Sequence, residues 1–257
     1  MFLLFFAFHF PSFSQSLNTK LWDLDFGGNK NDSLIVVEST ADGGYILGGY
    51  TNSSMNGDVS QTNEGGEDFW ILKLDASGIK QWDRLFGGSG DDRLDALVQT
   101  SDGSYLLGGY SVSGKGGDKS QYSKGGSDYW IIKIDATGNK LWDYDYGGSD
   151  QDYLTSIIPT LDGGFLIGGY SDSGISGDRT VSSQGADDYW IVKIDFNGIK
   201  QWDNRFGGNA DDRLYTMLQN ADGTYMLCGL SHSGPSGDVS QISHGSKDYW
   251  LVKTDVN

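Results

Sequence analysis

The stretch that decides the fold is FGGSGDDRLDALVQTSDGSYLLGGYS, residues 86–111. Closely similar stretches begin at Phe26, Tyr146 and Phe206, so that four copies start 60 residues apart. Two tryptophan columns keep this spacing without insertion or deletion, namely Trp22, Trp82, Trp142 and Trp202, and Trp70, Trp130, Trp190 and Trp250. A fixed period of this length is typical of repeat architectures. Because the motif occurs in every copy, it indicates scaffold rather than one active site.

Each unit contains four strand-like runs rich in aromatic and β-branched residues. In the second unit these runs are residues 93–100, 104–111, 128–135 and 140–148, and an Asp-Gly pair joins the first two as a tight hairpin. No run shows the 3.6-residue period of a helix. Four antiparallel strands per repeat predict the blades of an all-β fold, the β-propeller.

The phase of the repeat predicts how the ring closes. Residues 20–28 have a fourth-strand sequence, whereas residues 248–255 have a third-strand sequence. Pairing residues 20–26 with residues 249–254 would complete four four-stranded blades and leave no exposed edge. This interpretation predicts a monomer. The alternative is that the chain is a fragment of a six- to eight-bladed propeller.

Turn geometry also predicts cross-strand neighbours within a blade. With Gly78 closing the third turn, Lys73 lies opposite Trp82 and Trp70 lies across from Leu85. The lysine stems could stack on the tryptophan rings as cation–π contacts. The tryptophan columns serve either as packing between blades or as an aromatic platform for sugars.

Charge and the first residues indicate export and restrict the partners. The net charge of −17, from 18 basic and 35 acidic residues, argues against binding to nucleic acid or anionic membranes. The apolar run at the start predicts a signal peptide over residues 1–14, followed by a single domain over residues 15–257; the alternative is a buried N-terminal strand. The run is too short for a membrane span. Cys228, the sole cysteine, replaces a glycine of the repeat and is interpreted as a small packed side chain.

Aspartates recur in three settings. Asp92 and Asp102, with their equivalents in the other units, are expected to bond the backbone of their own turns. The long loop of each unit carries a Gly-Asp and ends on a further aspartate, and oxygen ligands of this kind suit Ca²⁺. The calcium hypothesis assigns eight carboxylates as metal ligands: Asp58, Asp68, Asp118, Asp128, Asp178, Asp188, Asp238 and Asp248. Ordinary hydrogen bonds that brace the loops are the alternative.

Catalytic chemistry has little support in the sequence. His232 and His244 occur only in the last long loop, and no nucleophile–base arrangement recurs. Glycoside hydrolysis needs two carboxylates with separate roles, and no pair stands out among so many aspartates. A hydrolase would require an asymmetric acidic cleft in which one or two blades depart from the repeat, and the sequence shows no such blade.

The unit resembles a known repeat. Gly-Gly, Asp-Asp, Asp-Gly-Gly-Tyr, Gly-Gly-Tyr-Ser, Asp-Tyr-Trp and Lys-x-Asp-x-x-Gly follow one another as in a repeat family of exported and surface proteins of bacteria that use type IX secretion. The resemblance covers residues 17–257 and implies a secreted or cell-surface β-propeller. Some relatives carry names such as endoglucanase, lipoprotein or bulb-type lectin-domain protein, which imply a carbohydrate context without catalytic residues to carry over.

The resulting functional hypothesis is an exported, non-catalytic binding or adhesion module for extracellular glycan or protein, with the varied long loops as the recognition face. The alternatives are a polysaccharide-acting glycoside hydrolase and a structural spacer of a larger surface protein.

Overall fold

A computed structural model describes residues 19–255, which contain strands, turns and loops but no helix. The signal peptide predicted for residues 1–14 lies outside the described residues. Fifteen strands occur in this part of the chain: β1 (Asp32–Ser39), β2 (Tyr45–Thr51), β3 (Asp68–Leu74), β4 (Lys80–Phe86), β5 (Asp92–Gln99), β6 (Tyr105–Ser111), β7 (Asp128–Ile134), β8 (Lys140–Tyr146), β9 (Asp152–Pro159), β10 (Phe165–Ser171), β11 (Asp188–Ile194), β12 (Lys200–Phe206), β13 (Asp212–Gln219), β14 (Tyr225–Ser231) and β15 (Asp248–Thr254).

The strands form four antiparallel sheets, one from each repeat. Sheets 1, 2 and 3 hold four strands each, β1–β4, β5–β8 and β9–β12, whereas sheet 4 holds β13, β14 and β15. Within every sheet the strands lie side by side in chain order. The prediction of an all-β chain built from repeated antiparallel sheets is therefore confirmed.

The hairpin between the first two strands of a sheet is held by its aspartate, as the sequence predicts. In sheet 2 the Ser104 N–H donates to Asp102 Oδ1 at 3.1 Å, and Gly103 adopts a φ of 82° that favours glycine. Equivalent bonds are made by Asp42, Asp162 and Asp222. The aspartates at the start of each first strand also bond their own turn, since Gly88 N–H donates to Asp92 Oδ2 at 2.7 Å.

The cross-strand register agrees with the sequence, but the predicted cation–π contacts are wrong. Lys73 pairs with Trp82 and Trp70 with Leu85 in the ladder between β3 and β4. The Lys73 ammonium nevertheless lies 2.9 Å from Asp42 Oδ2. A buried ammonium gains more from a full negative charge than from the quadrupole of a ring. Among the described residues no lysine stacks on a tryptophan.

The tryptophans of the third strands act in packing. Trp130 and Trp190 are fully buried between neighbouring sheets. Their indole N–H groups donate to Asp143 and Asp203 at 3.2 and 3.1 Å. Fully buried rings with satisfied N–H groups support the packing interpretation of this column and leave no exposed ring face for a sugar.

The core lies between consecutive sheets. Ile46, Phe69 and Ile71 of sheet 1 pack against residues of sheet 2 that include Leu94 and Leu107, and all five side chains are fully buried. The same columns repeat this packing between sheets 2 and 3 and between sheets 3 and 4. The first strands of neighbouring sheets also contact each other, so that β1, β5, β9 and β13 follow one another along the inner side.

The predicted ring closure is not formed. Residues 20–26 belong to no strand, and β15 is the edge of sheet 4. The N-terminal segment instead lies on sheet 1, where the Trp22 and Tyr45 ring centroids are 6.1 Å apart. Trp82 and Tyr105 repeat this contact between sheets 1 and 2 at 6.4 Å. The segment therefore occupies the place of a fourth strand that precedes sheet 1, and the sheets are not closed into a ring.

Candidate functional site

The first strand of each sheet contains one bulged residue, and this residue is different in each of the four repeats. In sheet 2 Leu94 pairs with Gly109 and Ala96 with Gly108, which leaves Asp95 without a partner in the ladder. A bulge bends the strand and redirects its extra side chain. The four bulged residues are Ile35, Asp95, Thr155 and Tyr215. Leucine precedes the bulge in every repeat, whereas the bulged residue differs in all four.

The Gly-Gly pair opposite the bulge explains why the strands approach so closely there. A Cβ on Gly109 would lie 1.9 Å from the carbonyl oxygen of Arg93, and a Cβ on Gly169 would lie 1.9 Å from that of Tyr153. Any side chain at these positions would push the two strands apart. The second glycine of the repeat thus permits the bulge that presents the variable residue.

The bulges of sheets 2, 3 and 4 share one cavity, here called the tyrosine pocket. Its volume is about 330 Å³, and it is lined by Asp95, Tyr110, Tyr153, Leu154, Thr155, Tyr170 and Tyr215. The Tyr110 and Tyr153 centroids are 4.8 Å apart at an interplanar angle of 80°, and those of Tyr153 and Tyr170 are 5.2 Å apart at 34°. Because the rings of this series support one another, their orientations are fixed before any ligand arrives.

Two arginines flank the tyrosine pocket and are already paired. The Arg213 Nε lies 2.6 Å from Asp187 Oδ2, and its guanidinium carbon lies 5.1 Å from the Tyr170 ring centroid. Arg93 forms the matching ion pair with Glu67 across the junction between sheets 1 and 2. Both arginines thus join neighbouring sheets and bound the pocket with fixed positive charge.

Asp95 is the acidic group of the pocket. No described residue donates a hydrogen bond to it, and burial raises its pKa from 3.8 to about 7, with the charge of Arg93 acting in the opposite direction. Burial also raises the pKa of Tyr110 and Tyr170 to about 12, so these hydroxyls remain protonated at neutral pH. At neutral pH the pocket therefore offers phenol groups and one carboxyl group that is close to its titration midpoint.

The first set of predicted calcium ligands braces the long loops. Asp58 Oδ2 accepts a hydrogen bond from Gly27 N–H at 3.1 Å, in the turn that enters the sheet. The same bond, to the first glycine of a Gly-Gly pair, is made by Asp118, Asp178 and Asp238. These aspartates thus brace their loops by ordinary hydrogen bonds, which was the alternative to calcium binding.

The second set of predicted calcium ligands closes the ends of these loops. Asp128 Oδ2 accepts hydrogen bonds from Lys124 N–H at 2.6 Å and Ser123 Oγ at 2.9 Å. Asp68, Asp188 and Asp248 accept from their loops in the same way. Asp68, Asp128 and Asp188 are fully buried, and each has an Oδ1 without a donor in the described chain.

The structure brings carboxylates of neighbouring repeats together. Asp68 lies near Asp92 and Asp118 of the next repeat; burial first, and then these charges, raise its pKa to about 7. Across residues 19–255 no group of three or more His, Cys, Asp or Glu residues is arranged to hold a metal ion. Calcium binding stays a prediction.

The tyrosine pocket was not predicted from the sequence. The long loops were the predicted recognition face, and no blade departs from the repeat along its whole length. The signal was present at single columns, because the bulge column reads Ile, Asp, Thr, Tyr and the column two residues earlier reads Ser, Arg, Tyr, Arg. These columns face one cavity because of the bulge. The sequence pattern alone does not reveal the bulge.

Comparisons with known proteins leave the family of this chain open. No family model matches the chain. The chain is similar to the regulatory protein FlaEY of Caulobacter vibrioides, with 27% identity over 162 residues that cover 60% of this chain. The chain spans 17% of the length of that relative.

A solved structure, that of a protein of unknown function from Bacteroides caccae, aligns with 87% of this chain and 63% of its own. The TM-score is 0.45 at 12% identity, which does not assign a fold. Within the part of the chain that the structure describes, no helix has the length and apolarity needed to cross a membrane.

Proposed function

We propose that this chain is an exported β-propeller module that binds carbohydrate without cleaving it, and that the tyrosine pocket is its sugar site. The observation that carries the proposal is the clustering of four tyrosines around Asp95 at the bulges. Pyranose rings present apolar C–H faces and polar hydroxyl edges. Pre-oriented tyrosines provide the ring surface for the first and hydroxyl groups for the second.

The degree of exposure of these side chains supports a binding role. Tyr215 is half exposed, and Tyr110, Tyr153 and Tyr170 are partly exposed, in contrast to the fully buried Trp130 and Trp190. Tyrosine loses little conformational entropy when it binds, since it has few rotatable bonds. An exposed ring held by its neighbours is therefore a suitable contact for a neutral ligand.

The acid content of the pocket favours binding over hydrolysis. Asp95 is the sole carboxylate among the residues that line it. Glycoside hydrolysis by the usual mechanisms uses a pair of carboxyl groups at defined separations. A single carboxylate without an internal donor can instead accept hydrogen bonds from sugar hydroxyls.

The propeller architecture is part of this proposal. Four sheets related by a 60-residue repeat, with their first strands contacting one another on the inner side, support the assignment of the sheets as propeller blades. Export is inferred from the composition of residues 1–14.

Calorimetric titration of the purified protein with cellohexaose, chitohexaose and maltohexaose tests the proposal. We expect at least one of these hexasaccharides to bind, and Tyr215→Ala to weaken its binding about tenfold or more, equivalent to about 1.4 kcal/mol. Tyr122→Ala is the matched control, because Tyr122 is 74% exposed in a long loop far along the chain from the bulges.

Three results would contradict the proposal. The first is the release of reducing ends during the titration, which would indicate a hydrolase. The second is equal binding by the Tyr215→Ala and Tyr122→Ala variants, which would place the sugar site elsewhere. The third is absence of binding to all three probes, which would favour the spacer interpretation.

A further inference from the structure

The face of sheet 4 that points away from sheet 3, here called its outer face, is apolar and uncovered. It is formed by Met226, Tyr249 and Leu251. Tyr249 is 95% exposed and Leu251 60% exposed. Their equivalents in sheet 3, Tyr189 and Ile191, are buried against sheet 4. Sheet 4 therefore presents the same apolar side chains that fill each of the three internal junctions.

The other end of the molecule has the complementary shape. Sheet 1 carries an apolar cavity of about 450 Å³, here called the sheet 1 cavity. Its lining includes Leu34, Val37, Tyr45, Leu47, Trp70 and Leu72. Leu34 and Val37 are 60% and 58% exposed, whereas Leu94 and Leu97, their equivalents in sheet 2, are buried under the side chains of sheet 1.

We infer that the outer face of sheet 4 of one molecule packs into the sheet 1 cavity of a second copy of this chain. The three internal junctions provide the template, because each joins these same two columns of residues. Projecting side chains are exposed at one end, and the cavity that would receive them is open at the other.

The residue sizes at the two ends match each other. In sheets 1, 2 and 3 a glycine faces the next sheet: a Cβ on Gly108 would lie 2.5 Å from Ile157 Cδ1, and a Cβ on Gly168 would lie 2.8 Å from Met217 Sδ. Sheet 4 has Cys228 in this column, and sheet 1 has Val37 where the other sheets have Leu, Ile or Met. In the proposed contact the larger Cys228 of sheet 4 meets the shorter Val37 of sheet 1. This match in size favours a second copy of the same sequence as the partner.

The unpaired strand edge points to the same interface. Among residues 19–255 sheet 4 has no fourth strand, and the outer edge of β15 is unpaired. Residues 20–26 lie on sheet 1 in the position of a preceding fourth strand, with Phe26 packed against Trp70 and Leu85. When sheet 4 of one copy meets sheet 1 of the other, this segment lies beside β15 and completes the sheet by strand addition.

The contact is head-to-tail, so it either closes into a ring or continues as a filament. Two copies joined by two identical contacts form a ring of eight sheets, which is within the usual range for propellers. Each molecule then loses both open ends. The inference concerns assembly and is independent of whether sugar binds in the tyrosine pocket.

Light scattering coupled to size-exclusion chromatography tests the assembly. We expect a dimer, and we expect Tyr249→Glu to shift it to monomer because a carboxylate would be buried in an apolar cavity. Tyr122→Glu makes the same change at another highly exposed tyrosine and should leave the dimer intact. A monomeric parent protein would overturn the inference, and polymers of unlimited length would overturn the two-copy ring.

A disulfide distinguishes two copies from a chain that closes on itself. In sheet 3 Val192 pairs with Asp203, and the same columns place Val252 opposite Asp23. Opposed residues of antiparallel strands are close enough for a disulfide. In a Cys228→Ser background, Asp23→Cys with Val252→Cys should yield covalent dimers on a non-reducing gel. A disulfide within one chain, or no disulfide under oxidising conditions, would overturn the inference.

Discussion

The junction between sheets 2 and 3 and the outer face of sheet 4 contain the same columns of residues in opposite environments. Tyr129 and Ile131 are completely buried at the junction, whereas Tyr249 and Leu251 are largely exposed. The repeat makes the residues nearly identical, and the presence of a following sheet makes the environments different. Burial in this molecule is therefore a property of the junction and not of the residue column.

Charged groups show the same contrast. Lys193 is buried and lies 2.9 Å from Asp162, whereas the equivalent Lys253 and Asp222 are both exposed and 3.7 Å apart. A covered sheet removes water from the ammonium and makes its partner necessary. An uncovered sheet leaves both charges hydrated, and the pair then contributes little.

The largest effect is expected at the buried ion pair of sheet 2. Lys119 Nζ lies 2.9 Å from Asp145 Oδ1, and neither side chain is exposed. Lys119→Val removes the partner of a buried carboxylate and should lower the free energy of unfolding by about 3–5 kcal/mol. Denaturant titration measures this value.

Sheet 1 supplies the control for that prediction. The same two columns hold Val59 and Leu85, both buried in one apolar cluster. The double variant Lys119→Val with Asp145→Leu should therefore be as stable as the parent or more stable, because desolvation of a buried pair offsets its attraction. If the double variant were as unstable as the single one, the apolar pair of sheet 1 would be unable to replace the ion pair of sheet 2.

The second prediction compares equivalent apolar residues in the covered sheet 3 and in the uncovered sheet 4. Ile191→Ala in sheet 3 should cost about 2–5 kcal/mol, because it leaves a cavity in a close-packed junction. Leu251→Ala should cost less than about 0.5 kcal/mol in the isolated chain, since little area is buried there. With a second copy bound, the cost of Leu251→Ala should become larger and should depend on protein concentration in thermal melts.

The third prediction concerns Asp95, whose pKa burial raises from 3.8 to about 7. The folded state then binds a proton more tightly than the unfolded state, so the stabilisation is complete below pH 3.8 and is lost as the pH rises through 7. Between pH 5 and 8 the parent protein should lose roughly 1–3 kcal/mol more stability than Asp95→Asn. Parallel pH profiles of both proteins would contradict this prediction.

The smallest effect is expected at the hairpin aspartates. Asp162→Ala should lower stability by about 0.5–1 kcal/mol, since Asp162 is half exposed and solvent screens its charge, while Lys193 keeps bonds to Ile194 O and Gln201. Asp222→Ala, in sheet 4, should lower Tm less than Asp162→Ala, because it loses equivalent hairpin bonds to Thr224 but only an exposed ion pair. Equal shifts in the two variants would remove the contrast between covered and uncovered sheets.

Local features of the fold were predictable from the sequence because their causes are local. The strands, the Asp-Gly hairpins and the opposition of Lys73 to Trp82 follow from residue preferences and turn length, which act over a few residues. The grouping of the eight aspartates named by the calcium hypothesis depends instead on contacts between repeats, and calcium binding stays a prediction. The structure places Asp68 beside Asp92 and Asp118 of the next repeat.

The 60-residue period and the antiparallel strands of each repeat follow from the sequence alone. Tertiary packing was needed to place residues 20–26 on sheet 1 rather than beside β15, and to bring Asp95 into a cavity with tyrosines of two other repeats. The difference arises from distance along the chain. Turn and strand preferences act between near neighbours, whereas which sheet covers which face depends on the packing of segments tens of residues apart.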